Sequence, residues 1–376
     1  MKMLDYVVMA GSRLRENLSS GEELVAPLVN AFVASGCDSI RLVASGSSRN
    51  SADCAKHYMQ ESMGAQVVVV TPEAFVRHES VWPSEAFNVI ISQSGYSTNV
   101  LAALDFARER RLPCVALTGN PESPLCEHAD VILDFGVGVE SVDFVTMGVQ
   151  ALVEYLLLFS TYAALAMGRL TDEALASRLF DLATIVDVHS KVLEVAASFV
   201  EGERLQLSRM SPAMIVGDGP NFGVAEEAAL KFSETLKLPT MYFEGEEFIH
   251  GPEMQITPGY LVFVIDDPEG SPRLARTARL LRTVTESTYL LTSHPRGEVC
   301  EIVMPTVPRA LLAAIPNLAF FQYVAAQKAE ELRRWDVHPY LDTIGDEMEA
   351  KAEGYDRAMK ALEARAIERY GDPAES

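Results

Sequence analysis

The sequence predicts an α/β chain of two doubly wound parallel-sheet domains related by an internal repeat, with additional helices. Three observations predict it. At 376 residues the chain has room for two domains of ordinary size. Short continuous runs of β-branched and aliphatic residues alternate with helical patterns, as parallel strands buried on both faces require. The same alternation is then written a second time in the same order.

The first copy starts with the strand Ile40–Ala44, the turn Ser45-Gly46-Ser47-Ser48 and a helix through Met59. Strands Gln66–Val70 and Phe87–Ile91, a helix near 99–110 and the strand Cys114–Thr118 follow. The second copy starts with Ala213–Val216, the turn Gly217-Asp218-Gly219-Pro220 and a helix through Leu236. It continues with Tyr260–Ile265, a helix near 272–285 and Thr288–Thr292. Each copy closes with a short strand (Asp130–Leu133; Val299–Val303) and a long apolar helix, about 142–167 and about 308–332. Helical patterns at about 20–35 and 172–205 lie outside the copies. The expected division is therefore an N-terminal helical segment over 1–34, a first domain over 35–168 and a helical linker over 169–206. A second domain over 207–335 and a charged tail over 336–376, fraying at its end, complete it.

Composition narrows the function. Hydrophobic residues at 48% and charged residues at 22% describe a globular chain. A net charge of −22 argues against nucleic acid and against an anionic membrane surface, both of which would repel it. The five Cys are odd in number and lack metal-ligand spacing, so they read as reduced thiols in a cytoplasmic protein, with Cys54 and Cys114 in the core. The N-terminus has no signal-peptide pattern. The apolar run Tyr155–Gly168 is shorter than the roughly 20 residues of a membrane span and reads as a buried helix.

Ser92-Gln93-Ser94-Gly95 lies between the Phe87–Ile91 strand and the helix near 99–110. A strand, a hydroxyl-rich turn and a helix start direct N–H groups and hydroxyls at one spot, where a phosphate fits. No P-loop Lys follows, so a phosphomonoester on a small sugar suits it better than a nucleoside triphosphate. The alternative is an ordinary capped helix start. The second copy has Asp266-Asp267-Pro268-Glu269-Gly270 here, which would repel a phosphate, and Gly219 where the first has Ser48.

The second copy carries acid–base groups instead. Glu227, Lys231 and Glu234 fall at i, i+4 and i+7, one face of a helix, where the first copy is expected to have Lys56, Gln60 and Met63. An exposed Glu–Lys pair would contribute only a few tenths of a kcal/mol, roughly. The alternative is a carboxylate base with a Lys beside it. His250 follows in the turn His250-Gly251-Pro252, and its ordinary pKa near ~6.5 suits proton transfer.

At these residues the chain resembles the double sugar-isomerase-domain (SIS) family. It is similar to the isomerase half of glutamine–fructose-6-phosphate amidotransferase and to the related fructosamine-6-phosphate deglycases, over about residues 20 to 335. Ser45-Gly46-Ser47-Ser48 resembles the family's first phosphate loop, and Ser92-Gln93-Ser94-Gly95-Tyr96-Ser97-Thr98 its second. The stretch from Glu226 to Glu234 is similar to the helix whose last Glu is the base. His250-Gly251-Pro252 is similar to the motif whose His opens the sugar ring from the partner subunit.

The resemblance implies flavodoxin-like domains and a homodimer with shared active sites. It implies phosphate binding by Gly46, Ser47, Ser48, Ser92, Gln93, Ser94 and Ser97 or Thr98. Catalysis would rest on Glu234, His250, Lys231 and Glu227, with no metal and no organic cofactor. The amidotransferase's glutaminase domain is not in this sequence, and its Schiff-base Lys has no counterpart after Trp335 until Lys351. A substrate already carrying its nitrogen needs neither. The implied reaction in carbohydrate metabolism is therefore a deglycase or deaminase step on a 6-phosphorylated amino sugar or fructosamine. An aldose–ketose phosphosugar isomerase and a non-catalytic phosphosugar sensor are the alternatives.

Overall fold

The computed structural model describes residues 1–79, 86–142, 144–335, 343–344 and 347–371. The chain divides into two compact units. One holds residues 1–179 together with 339–376, and the other holds residues 180–338.

The first unit opens with two helices, α1 (Met3–Ser19) and α2 (Gly21–Ser35). A parallel sheet follows with strands β1 (Ser39–Val43), β2 (Gln66–Val70), β3 (Ala86–Ser92), β4 (Cys114–Thr118) and β5 (Ile132–Asp134). Their order is β2-β1-β3-β4-β5. Helix α3 (Gly46–Met63) follows β1, and α4 (Thr98–Glu109) follows β3. The short α5 (Leu125–His128) precedes β5, and the long α6 (Met147–Ala166) closes the unit's core. α6 is buried nearly all round and packs against α1, α2 and α3. Its window is 83% buried, so its membrane-like length reflects a core position, as the run at Tyr155 suggested.

Helix α7 (Asp172–Asp187) carries the boundary between the units. The second unit adds α8 (His189–Gly202) and α9 (Arg204–Ser208). Its parallel sheet has strands β6 (Ala213–Gly217), β7 (Thr240–Phe243), β8 (Leu261–Ile265), β9 (Thr288–Thr292) and β10 (Glu301–Val303) in the order β10-β9-β8-β6-β7. Helix α10 (Pro220–Lys231) follows β6, α11 (Gly245–Phe248) follows β7 and α12 (Pro272–Leu281) follows β8. Helix α13 (Ala314–Glu331) packs on α8 and α10.

Both sheets are doubly wound, and the two connectivities match strand for strand. The strand missing from the sequence reading is β7. It is a short edge strand, only half-buried, so no continuous apolar run marks it. Matching Ser39 with Ala213 and Gly46 with Pro220 also corrects the register between the copies. Asp53, His57 and Gln60 stand opposite Glu227, Lys231 and Glu234, in place of Lys56, Gln60 and Met63. Ser45, not Ser48, stands opposite Gly219. The turns had blurred the strand starts by three residues, roughly a helical turn.

Of the cysteines, Cys54 and Cys300 are buried, Cys114 is half-buried against the core of the first sheet, and all five are free thiols. Beyond Trp335, the expected tail carries a helix, Tyr355–Tyr370, and groups with the first unit. Residues 336–342 and the expected frayed end, 372–376, lie outside the described residues.

Candidate active site

In the first unit the turn after β3 is shaped by its own hydroxyls. Ser92 Oγ accepts the Gly95 amide at 3.2 Å, and Ser94 Oγ accepts the Tyr96 amide at 3.3 Å. Gly95 has φ +74°, and a Cβ there would lie 1.8 Å from Ser123 Oγ, so only glycine fits. Ser97 holds the N-cap position of α4 but makes no side-chain capping bond. Its hydroxyl lies 3.4 Å from Ser92 Oγ instead, which departs from the ordinary capped helix start. Thr98 points elsewhere, its Oγ1 donating to the Glu349 carbonyl at 3.0 Å.

Gln93 is held from three sides. Its carbonyl accepts the Gly119 amide at 3.1 Å and Thr118 Oγ1 at 3.2 Å. Its Nε2 donates to Glu140 at 2.7 Å. Glu140 is buried at the start of α6 and also accepts the amides of Thr146, Met147 and Gly148. Burial raises its carboxyl above the usual range, opposed by these four donors.

The first turn of α3 carries Gly46, buried Ser47 and half-buried Ser48. It follows β1, which pairs with β3, so both turns lie at the carboxyl ends of neighbouring strands. The helices on β1 and β3 lead away where the strand order reverses, the usual ligand crevice of such sheets. Asn99 Nδ2 ties the turns by donating to Ser45 Oγ at 2.9 Å. Asn99, Glu140 and Lys351, whose ammonium reaches Ser94 and Ser97, were not singled out as site residues from the sequence. Lys351 stands out in the sequence only as the first lysine after Trp335, and neither Asn99 nor Glu140 carries a pattern that marks it.

In the second unit Glu227, Lys231 and Glu234 converge as the spacing predicted. Lys231 Nζ lies 2.7 Å from Glu234 Oε2 and 3.3 Å from Glu227 Oε1. Glu227 and Lys231 are buried, while the Glu234 side chain is 28% exposed. Desolvation pulls the Lys231 pKa down, but the charges and hydrogen bonds of Glu227 and Glu234 outweigh it and raise it.

The helix face expected to run through Glu234 changes pitch first. After Lys231 the backbone widens into a π turn, Phe232–Leu236. Lys237 ends it in the left-handed region at φ 55°, with its ammonium on the Glu234 carbonyl. Leu238 stands before Pro239, where a helical conformation is disfavoured, so the chain must leave the helix there. Such π turns often mark functional positions in helices.

His250 is exposed in the turn after α11. Among the described residues its side chain makes no hydrogen bond or ion pair, with Glu234 or any other group. The corresponding turn after β8 is closed by its own contacts. Asp266 is buried and accepts Thr292 Oγ1 at 2.8 Å and Arg296 Nη1 at 3.0 Å. Its carboxylate is thus neutralised, so the difference from the first copy is a filled turn as well as a repulsive one. Among the described residues no cluster of metal-ligating side chains occurs.

Comparison with known proteins agrees with this architecture. Over 304 residues the chain is 25% identical to the glutamine–fructose-6-phosphate aminotransferase (isomerizing) of Corynebacterium diphtheriae, covering 77% of this chain and 49% of that protein. The chain thus spans about half the length of the curated relatives it matches. A Clostridium difficile 630 structure, provisionally named a phosphosugar isomerase, superposes with TM-score 0.82 at 21% identity, covering 92% of this chain and 98% of that one. The glucosamine-6-phosphate deaminase of Thermotoga maritima gives TM-score 0.71 at 19% identity, over 89% and 98%. At these identities the superpositions establish the fold. The SIS domain pattern matches residues 35–167 and 206–326, one match on each sheet, and the chain therefore belongs to the SIS domain family.

Proposed function

We propose that this chain is an enzyme acting on a 6-phosphorylated amino sugar or fructosamine, as a deglycase or deaminase working through an enediol or enolamine. The observation that carries the reading is the buried Lys231 held between two carboxylates, of which only Glu234 reaches solvent. With Lys231 charged, the cluster holds one net negative charge, and a proton accepted by Glu234 neutralises it. Glu234 would remove the proton beside the carbonyl or imine carbon and return it to the neighbouring carbon. The resulting imine adds water and releases hexose 6-phosphate with the amine or ammonia. Lys231 would orient Glu234, and Glu227 would position Lys231. The phosphate would be held by Ser92, Gln93, Ser94 and Ser97, together with Gly46, Ser47 and Ser48.

His250 would act on the ring oxygen in a homodimer, serving the partner subunit's site. Its exposed position, with no partner among the described residues, supports this. The five free thiols agree with a cytoplasmic setting. The function is tested by incubating the protein with 6-phosphorylated fructosamines and glucosamine 6-phosphate and assaying hexose 6-phosphate and amine together. Equimolar release supports the proposal. Aldose–ketose interconversion without amine release would make the protein an isomerase, and binding without turnover would make it a sensor.

A further inference from the structure

The Ser92–Thr98 turn contains no cation, yet the fold delivers one from 254 residues along the chain. Residues 349–352 run beside the turn as a short antiparallel bridge, with Ser97 opposite Lys351. The Ala352 amide donates to the Tyr96 carbonyl at 2.8 Å, and the Thr98 amide donates to the Ala350 carbonyl at 3.3 Å. Thr98 Oγ1 adds its bond to the Glu349 carbonyl. This backbone clamp sets Lys351 Nζ 3.3 Å from both Ser94 Oγ and Ser97 Oγ. The Tyr355 ring lies 5.0 Å below the same ammonium, and Tyr355 packs edge-on against Tyr96.

The ammonium has no carboxylate within ion-pair distance among the described residues, in a chain of net charge −22. Although the residue as a whole is exposed, desolvation around its ammonium lowers its pKa from the usual lysine value. A desolvated cation beside two hydroxyls, at a turn whose amides and helix start favour negative charge, lacks one thing: an anion.

We propose that Lys351 is a direct ligand of the substrate's phosphate, carried to the Ser92–Thr98 turn by the C-terminal segment, and makes the site selective for phosphorylated sugars. The assignment rests on reading that turn as the phosphate site. It also gives this tail lysine a non-covalent role, because its ammonium is committed to the hydroxyls of Ser94 and Ser97.

The test is calorimetric binding of fructose 6-phosphate and of unphosphorylated fructose to the full chain and its variants. Lys351→Met should weaken fructose 6-phosphate binding about 10- to 100-fold, as loss of one charge-assisted hydrogen bond predicts. Lys351→Arg should keep most of the affinity, and fructose binding should not change. In the wild type, fructose 6-phosphate should slow chemical acetylation of Lys351 relative to Lys360, which needs no variant to fold. Ser92→Ala/Ser94→Ala separates the two levels of the reading. If it weakens binding while Lys351→Met does not, the turn holds the phosphate and Lys351 is no ligand. If neither weakens binding, or the wild type binds no sugar phosphate, both assignments fall. Borohydride trapping of the sugar on Lys351 would overturn the ligand role in favour of a covalent one.

Discussion

Gln93 Nε2 donates to the buried Glu140 carboxylate at 2.7 Å, and the same carboxylate accepts three amides at the start of α6. One side chain thus ties the β3 turn to the unit's central helix. A Cβ at Gly148 would lie 1.9 Å from Gln93 Oε1, so the helix itself leaves the space that Gln93 fills. Glu140 is a positioning residue in this arrangement. Glu140→Gln would set an amide NH₂ against donors it cannot satisfy. The expected result is about a tenfold rise in KM for a 6-phosphosugar with a smaller fall in kcat, because phosphate binding is shared by ground and transition states. Calorimetry with fructose 6-phosphate checks it, and unchanged affinity would remove Glu140 from the account.

Glu234→Gln should lower kcat by about 10²- to 10⁴-fold, the range for loss of a general base. Because Glu234 is partly exposed and its Lys231 contact can be kept by the amide oxygen, the melting temperature should change little. Turnover and a thermal melt measured on the same preparation separate the two effects. Near-normal turnover would point to another base or to a sensor.

If His250 serves the partner's site, inactive Glu234→Gln subunits mixed with inactive His250→Asn subunits should regain activity. Random exchange makes half of the dimers mixed, each with one working site of two, so about a quarter of wild-type activity should return. No recovery after verified subunit exchange would place His250 in its own chain's site or outside catalysis.

A fourth prediction concerns stability. Glu154 is fully buried in α6 beside Asn17 and Arg13, and burial raises its carboxyl well above the usual range despite both neighbours. Between its ordinary value near ~4.3 and its higher folded value, the native state holds a proton that the unfolded chain has lost. Stability from this group therefore falls as pH rises through that window. Glu154→Gln keeps the shape and removes the titration. Its melting temperature should exceed the wild type's at pH 8, with the gap closing toward pH 4. A constant gap between the two melting curves across that range would refute the assignment.

The fold was readable because buried parallel strands leave continuous apolar runs. Val67–Val70, Val89–Ile91 and Leu261–Ile265 announce themselves, whereas half-exposed β7 does not. The carboxylate–lysine cluster was readable because Glu227, Lys231 and Glu234 lie within about two helical turns of one another in sequence. The π turn that opens at Phe232 was not, since the helical pattern of the sequence carries no mark of the change in pitch. Of the Ser92–Thr98 turn, Ser92, Ser94 and Ser97 were visible as hydroxyls between a strand and a helix.

The sequence by itself determined most of the strand runs, the hydroxyl turn and the carboxylate–lysine face, because each depends on residues within about two helical turns of one another, and the repeat shows because those local patterns recur in the same order. Only the tertiary structure decided which Ser97 or Thr98 hydroxyl faces Ser92, what locks Gln93, and where Lys351 goes. The Gln93–Glu140, Thr98–Glu349 and Lys351–Ser97 contacts join residues 47, 251 and 254 positions apart, and periodicity carries no information over such distances. Packing brings them together, and the low dielectric of that packing gives the Glu140 and Lys351 charges their weight.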